Sequence, residues 1–173
     1  MIALKTLEFS QRENFIKDLQ MAFKGGFEAE FGTQNEEIIS KSEIENTLNK
    51  KGAQGLCVMQ NGQNVGGAVV CINEATQEND LELFFIKQNA QSKGIGFQAW
   101  QLIEQKYPHT KLWRTITPYF EKRNIHFYIN KCGFHAVEFF SAMHPEPNPP
   151  KEDGKAAPDE GPDEMFRFEK IMK

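Results

Sequence analysis

A chain of 173 residues, 39% apolar and 25% charged, is long enough to bury a substantial core as one domain, and its formal charge of −4 disfavours the clustered cations that nucleic acid requires. No apolar run reaches the roughly 18 residues of a membrane span, and Met1–Phe9 alternates like a strand instead of reading as a signal peptide, so a cytoplasmic protein with no membrane partner is expected. The three cysteines, Cys57, Cys71 and Cys132, are an odd number without a Cys-x-x-Cys pair, which argues against a disulfide framework or a zinc site.

Ile2–Phe9 reads as a first strand. Phe15, Leu19, Ala22 and Phe23 then follow helical spacing, and Gly25-Gly26 is the expected stop. A second helix is expected from Glu36 to Lys50, or from near Glu43 if Ser42 and Glu45 form a capping box. Gln54–Gln60 and Asn64–Ile72 are strands joined by Asn61-Gly62, a strong hairpin signal, and Gly66-Gly67 suggests a bulge or a close ligand approach. Leu81–Ile86 is the fourth strand, Gly94–Tyr107 a helix, Lys111–Thr117 the fifth strand, Phe120–Cys132 a helix and Phe134–Ala142 a strand. Pro145–Pro162 is rich in Pro, Gly and acids and reads as a mobile excursion; Met165–Lys173 returns as the last strand. The order predicts an α/β fold with a mixed, mainly antiparallel central sheet and helices on both faces. One parallel step crosses over through Gly94–Tyr107.

The segment with most chemical content is Gln91-Ser92-Lys93-Gly94-Ile95-Gly96, between a strand and a helix. Glycines at a helix mouth let backbone approach an anion, and the free amides of the first turn with the positive end of the dipole bind phosphate. The spacing Gly94, Gly96, Ala99 also fits a dinucleotide fingerprint, but a polar loop separates strand from glycines and the strand Lys111–Thr117 lacks the acid that would hold a ribose. A nucleotide-dependent oxidoreductase is therefore disfavoured. So is a G-x-x-x-x-G-K-[ST] loop, because Lys93 precedes Gly94.

Q-x-x-G-x-G after a strand resembles the acetyl-CoA loop of the GNAT superfamily of N-acetyltransferases. About 30 residues downstream, Asn124-Ile-His-Phe-Tyr128-Ile-Asn-Lys-Cys-Gly133-Phe134 resembles that superfamily's asparagine, helix, tyrosine and Gly-Phe. The run Thr117-Pro-Tyr-Phe-Glu-Lys-Arg-Asn124 is similar to a bacterial subgroup without an assigned substrate. The resemblance implies a single N-acetyltransferase domain over residues 1–173, with acetyl-CoA as donor, no metal, and a small-molecule or peptidic primary amine as acceptor. It implies that the fourth and fifth strands splay, that the pantetheine arm pairs with the backbone of Phe85 and Ile86, and that amides of Gln91, Ser92, Lys93, Gly94, Ile95 and Gly96 take the pyrophosphate. Asn124 would hydrogen-bond the pantetheine, and Tyr128 would donate a proton to the departing thiolate. One departure stands out: Tyr128 lies five residues before Gly133, where the common pattern has four, so Ile129 occupies the strict position; either the helix carries a bulge or a longer end, or Tyr128 points elsewhere and is simply packed in the helix interface.

Glu82 is the acid within a strand near the expected thioester. By the period of two it shares a face with Phe84 and Ile86, where a carboxylate could accept a proton directly or through water; a strand-end surface acid is the competing reading. His126 is a weaker candidate base and Cys132 a remote nucleophile. Phe23, Phe27, Phe31, Tyr119 and Phe140 could line an acceptor pocket, although core packing explains each singly, as it does Trp100 and Trp113. Acids near Glu28–Glu37 and Glu146–Glu164 could attract a cationic amine or simply be solvated. A homodimer through the last strands is compatible with the pattern. The reading that competes in class is an acyl-CoA-binding sensor without turnover.

Overall fold

The computed structural model describes residues 1–33, 37–147 and 164–173. Most of the Pro/acidic excursion expected at 145–162 lies outside the described residues. One seven-stranded sheet has the order β1-β2-β3-β4-β5-β7-β6, with β1 Ile2–Thr6, β2 Ala53–Gln60, β3 Gln63–Cys71, β4 Glu78–Ile86, β5 Leu112–Pro118, β6 His135–Phe140 and β7 Met165–Ile171. All neighbours are antiparallel except β4 and β5, so the expected mixed sheet is present.

Helices α1 (Arg12–Phe31) and α2 (Lys41–Leu48) cover one face. Phe15, Ile16, Leu19, Ile44 and Leu48 pack there on Cys57, Val69 and Phe85. Helix α3 (Ile95–Lys106) and the segment from α4 (Lys122–His126) into a π-turn at Phe127–Lys131 cover the other face. Trp100, Ile103 and Tyr128 pack there on Leu56, Ala68, Val70, Leu81 and Trp113. Alternate residues of β2 thus face opposite layers, Leu56 one way and Cys57 the other, as the period of two requires.

Several boundaries differ from expectation for local reasons. The first helix does not stop at Gly25-Gly26 but runs to Phe31 and ends on Gly32, whose φ of +83° suits glycine. The paired glycines instead admit two neighbours: a Cβ at Gly25 would overlap the Gln88 side chain, and one at Gly26 would lie 3.0 Å from Glu121 Oε1. The second helix starts at Lys41 because Ser40, not Ser42, caps it, accepting from the Glu43 N–H at 3.0 Å. Asn61 and Gly62 both have positive φ, as the tight hairpin predicts. The bulge expected at Gly66-Gly67 is present beside them, since Val58 opposes Gly66 and Met59 opposes Asn64, which leaves Val65 as the extra residue, and both glycines also serve core packing. A side chain at Gly66 would collide with the Phe85 carbonyl, and one at Gly67 with the Phe15 and Phe85 rings.

Candidate active site

The site grows from an interruption of the sheet. β4 and β5 pair only over Glu78–Leu112, Asn79–Trp113 and Asp80–Arg114, and then part. Beyond that point β4 still pairs with β3 up to Ile86, and β5 still pairs with β7 up to Pro118. Two strand edges with unpaired backbone groups therefore face a cleft in the middle of the sheet, an arrangement that ordinary sheets avoid. Thr115 Oγ1 donates to the Leu81 carbonyl at 2.9 Å and closes the vertex.

A bulge lies where the strands part. Val70 opposes Leu81 and Val69 opposes Leu83, which leaves Glu82 as the extra residue of β4. The bulge overturns the regular alternation expected for Glu82. Leu83 and Phe85 pack with the α1/α2 layer, whereas Phe84 packs with the α3 layer. Glu82 is bound at 3.1 Å by Lys50, just beyond α2, the helix whose layer takes Leu83 and Phe85. It thus does not share a face with Phe84 and Ile86.

The backbone of β4 also presents different residues to the cleft than expected. The Lys87 N–H donates to the Val65 carbonyl at 2.8 Å, so by antiparallel alternation Phe85 directs its own N–H and C=O toward Gly67 of β3. Phe84 and Ile86 are the residues whose backbone faces the cleft. Ile86 shows this directly: its carbonyl accepts from Gln91 Nε2 at 2.9 Å on the open side. Phe85 contributes instead a buried ring that meets Phe15 edge-on at 5.4 Å.

Gln91–Gly96 follows the end of this strand. Ser92 has a φ of +65° and Gly94 one of +75°, and Gly94 is the N-cap of α3. The first turn of α3 holds no acidic side chain, so its free amides meet no internal anion. Arg123, from α4 across the cleft, donates to Gln91 Oε1 at 3.0 Å and to Ser92 Oγ at 2.8 Å.

Tyr128 lies at the vertex. It stands five positions before Gly133 because the helix contains a π-turn, in which the Cys132 N–H donates to the Phe127 carbonyl at 3.0 Å. The extra residue keeps Tyr128 turned inward, 5% exposed, and leaves Ile129 on the surface. Burial pushes the phenol well above its usual range; the neighbouring Cys132 adds to this and the Thr115 hydroxyl opposes it by hydrogen bonding. Phe127, one residue earlier, stacks on Phe84 with centroids 5.9 Å apart and touches the position of Gly96.

The remaining candidates fall in several places. Asn124 is exposed on α4. His126 is exposed and its Nδ1 pairs with Asn130 Nδ2 at 2.8 Å. Cys132 is buried, and desolvation pushes its thiol up to about 12, which suits packing and not nucleophilic attack. Phe27 and Phe31 form an aromatic cluster with Phe120, centroids 4.7 to 5.4 Å apart. Tyr119 belongs to another cluster with Phe139 and Phe166, Phe140 is buried against His144, and Phe23 packs with the α1/α2 core. Among the described residues no group of His, Cys, Asp and Glu could hold a metal ion, and no helix is long and apolar enough to cross a membrane.

Glu121 is a residue the sequence did not single out. It follows Phe120 in the turn between β5 and α4, and its carboxylate reaches α1 over Gly26. Partial burial raises its pKa, Glu30 of α1 raises it further, and Arg123 lowers it. The same carboxylate is felt by the Tyr128 phenol. The available signal was its place in the run Thr117–Asn124, but only the folded chain shows that Gly26 opens α1 toward it.

Comparison with known proteins agrees with this architecture. The chain is 45% identical over 176 residues to the uncharacterized protein YrkN of Bacillus subtilis (strain 168), covering 99% of this chain and 94% of that protein. The ribosomal-protein-S18-alanine N-acetyltransferase of Escherichia coli superposes with a TM-score of 0.70 at 12% identity, covering 98% of this chain and 92% of the other. The spermidine N-acetyltransferase of Vibrio cholerae, solved with CoA and spermine, superposes with a TM-score of 0.67 at 13% identity, covering 98% and 95%. Residues 15–134, which hold the parted strands, the glycine loop and the π-turn, match the Acetyltransferase (GNAT) family, and the chain belongs to that family.

Proposed function

We propose that this protein transfers an acetyl group from acetyl-CoA to a primary amine by direct attack. The observation that carries the reading is the open edge of β4 at Phe84 and Ile86, facing β5 across a cleft with an anion-ready loop at one end and Tyr128 at the other. A pantetheine arm has amides that can pair with such an edge. A pyrophosphate matches the amides of Gln91–Gly96 at the start of α3. Asn124 is the proposed side-chain partner of the arm.

In the proposed reaction the neutral amine attacks the thioester carbonyl, and the oxygen that gains charge is met by a backbone N–H of the open β4 edge. The C–S bond then breaks. Tyr128 stands as the hydrogen-bond donor to the leaving sulfur. A phenol held above its usual range stays neutral, and a free thiol near ~8.5 is the stronger acid, so the phenol stabilises the thiolate before a proton reaches it. The proton lost by the amine goes to Glu121, which lies near Tyr128 and whose environment favours the protonated carboxyl. Glu82, engaged by Lys50, is left to brace the bulge.

The test is turnover with acetyl-CoA over a panel of primary amines that includes polyamines and peptides with free N-termini. Release of one CoA per acetylated amine supports the proposal. Binding of acetyl-CoA with no turnover on any amine would favour the sensor reading, and no binding would remove both.

A further inference from the structure

We propose that Arg123 is a phosphate ligand for CoA, held by a brace that spans the cleft; this rests on the reading just given. Its guanidinium links the two walls of the cleft. From α4 it donates to Gln91 Oε1 and to Ser92 Oγ, and Gln91 in turn donates to the Ile86 carbonyl at the end of β4. The β4 edge, the glycine loop and α4 are thereby joined through one side chain.

Arg123 and Ser92 are exposed, and two features set their contact apart. Ser92 holds a φ of +65° without being glycine, a conformation that persists only where neighbours enforce it. The hydroxyl beside that backbone is the one Arg123 holds. The charge of Arg123 is also left over. Both of its partners are neutral, and among the described residues it forms no ion pair, Glu121 sensing it only at longer range. A guanidinium has five donors in a planar fork, of which these contacts use two. Both partners belong to the loop that leads into α3, whose first turn holds no acidic side chain. A phosphate held by the loop would meet the remaining donors in charge-assisted geometry.

Titration calorimetry on the full chain tests the assignment, with CoA, 3′-dephospho-CoA and pantetheine as ligands and with Arg123→Gln and Arg123→Lys as variants. Binding of CoA to the unaltered protein tests the acetyl-CoA reading; the ratio between protein and variant tests Arg123. Arg123→Gln should weaken CoA by roughly 10- to 100-fold and leave pantetheine unchanged, with Arg123→Lys in between because it keeps the charge without the fork. An equal loss for 3′-dephospho-CoA would place Arg123 on the pyrophosphate; a loss confined to CoA would place it on the 3′-phosphate. Unchanged CoA affinity, or an equal loss for pantetheine, would overturn the proposal and make Arg123 a structural strut. Thermal melts of both variants identify any that fail to fold. The salt dependence of CoA binding gives a second readout, and it should flatten in Arg123→Gln.

Discussion

At the scale of single residues, the cleft sets two groups against their solution chemistry, and each gives a prediction. Tyr128→Phe removes one hydroxyl from a packed site, so the fold should lose only about 1 kcal/mol. Turnover should fall about 100-fold while the affinity for acetyl-CoA holds, as single-turnover and binding measurements would show. Unchanged turnover would leave Tyr128 a core residue. Glu121 makes an opposite trade. Its folded pKa is raised, so the folded state binds more protons than the unfolded one as the pH rises from the ordinary carboxylate range to the raised value. Stability therefore falls with rising pH across that window, and the penalty is relieved below it. Glu121→Gln removes the charge. It should melt higher than the parent at neutral pH, match it in acid, and lose kcat/KM by 100-fold or more together with the acid limb of the pH–rate profile. Glu82→Gln should keep that limb. If the limb disappears in Glu82→Gln and survives in Glu121→Gln, the two carboxylates have been assigned the wrong way round.

At the scale of elements, the legible parts are those written in local pattern. The Asn61-Gly62 hairpin, the strand–loop–helix around Gln91–Gly96 and the succession of elements along the chain follow from periodicity and turn chemistry. The departure at Tyr128 was visible as one surplus residue, and the π-turn is where the fold absorbs it. What local pattern could not show depends on neighbours distant in the chain. The bulge at Glu82 exists only against Val69 and Val70, and it decides the face of Glu82 and lies where the edge of β4 opens. The continuation of α1 through Gly25-Gly26 depends on Gln88 and Glu121, which press on it from 60 or more residues away. Glycine's helix penalty of about 1 kcal/mol is small against such packing. Gly66 shows the cost of ignoring this. A methyl there would meet the Phe85 carbonyl, a backbone atom that cannot swing aside, so Gly66→Ala should destabilise the protein by about 1–3 kcal/mol in chemical denaturation and loosen β4. Gly62→Ala should cost less, because nothing stands near its Cβ and only the positive φ opposes it.

At the scale of the whole molecule, the parted strands divide the sheet into two halves that one ligand can join. β1 to β4 carry α1, α2 and the glycine loop; β5, β7 and β6 carry α4 and Tyr128. Across the divide the sheet contributes three parallel residue pairs, with the Thr115–Leu81 hydrogen bond at their end. An arm lying in the cleft would fill unmet hydrogen bonds on β4 while its phosphates engage the loop and α4, so its binding free energy should appear as stability of the whole sheet and not of one element. At about 100 times its Kd a ligand adds ~2.7 kcal/mol. For a domain of this length that is roughly 5–10 °C in Tm. Acetyl-CoA should produce this shift and NAD should not. Hydrogen exchange should slow chiefly at the cleft-facing backbone amides of Phe84 and Ile86 and in the first turn of α3, with little change in β1 and β6 at the outer edges. Protection confined to the loop would mean that phosphate binds while the arm stays outside, and the open edge of β4 would then need another occupant. An equal shift with NAD would show a loop that reads pyrophosphate alone, and the cleft would lose its claim to pantetheine.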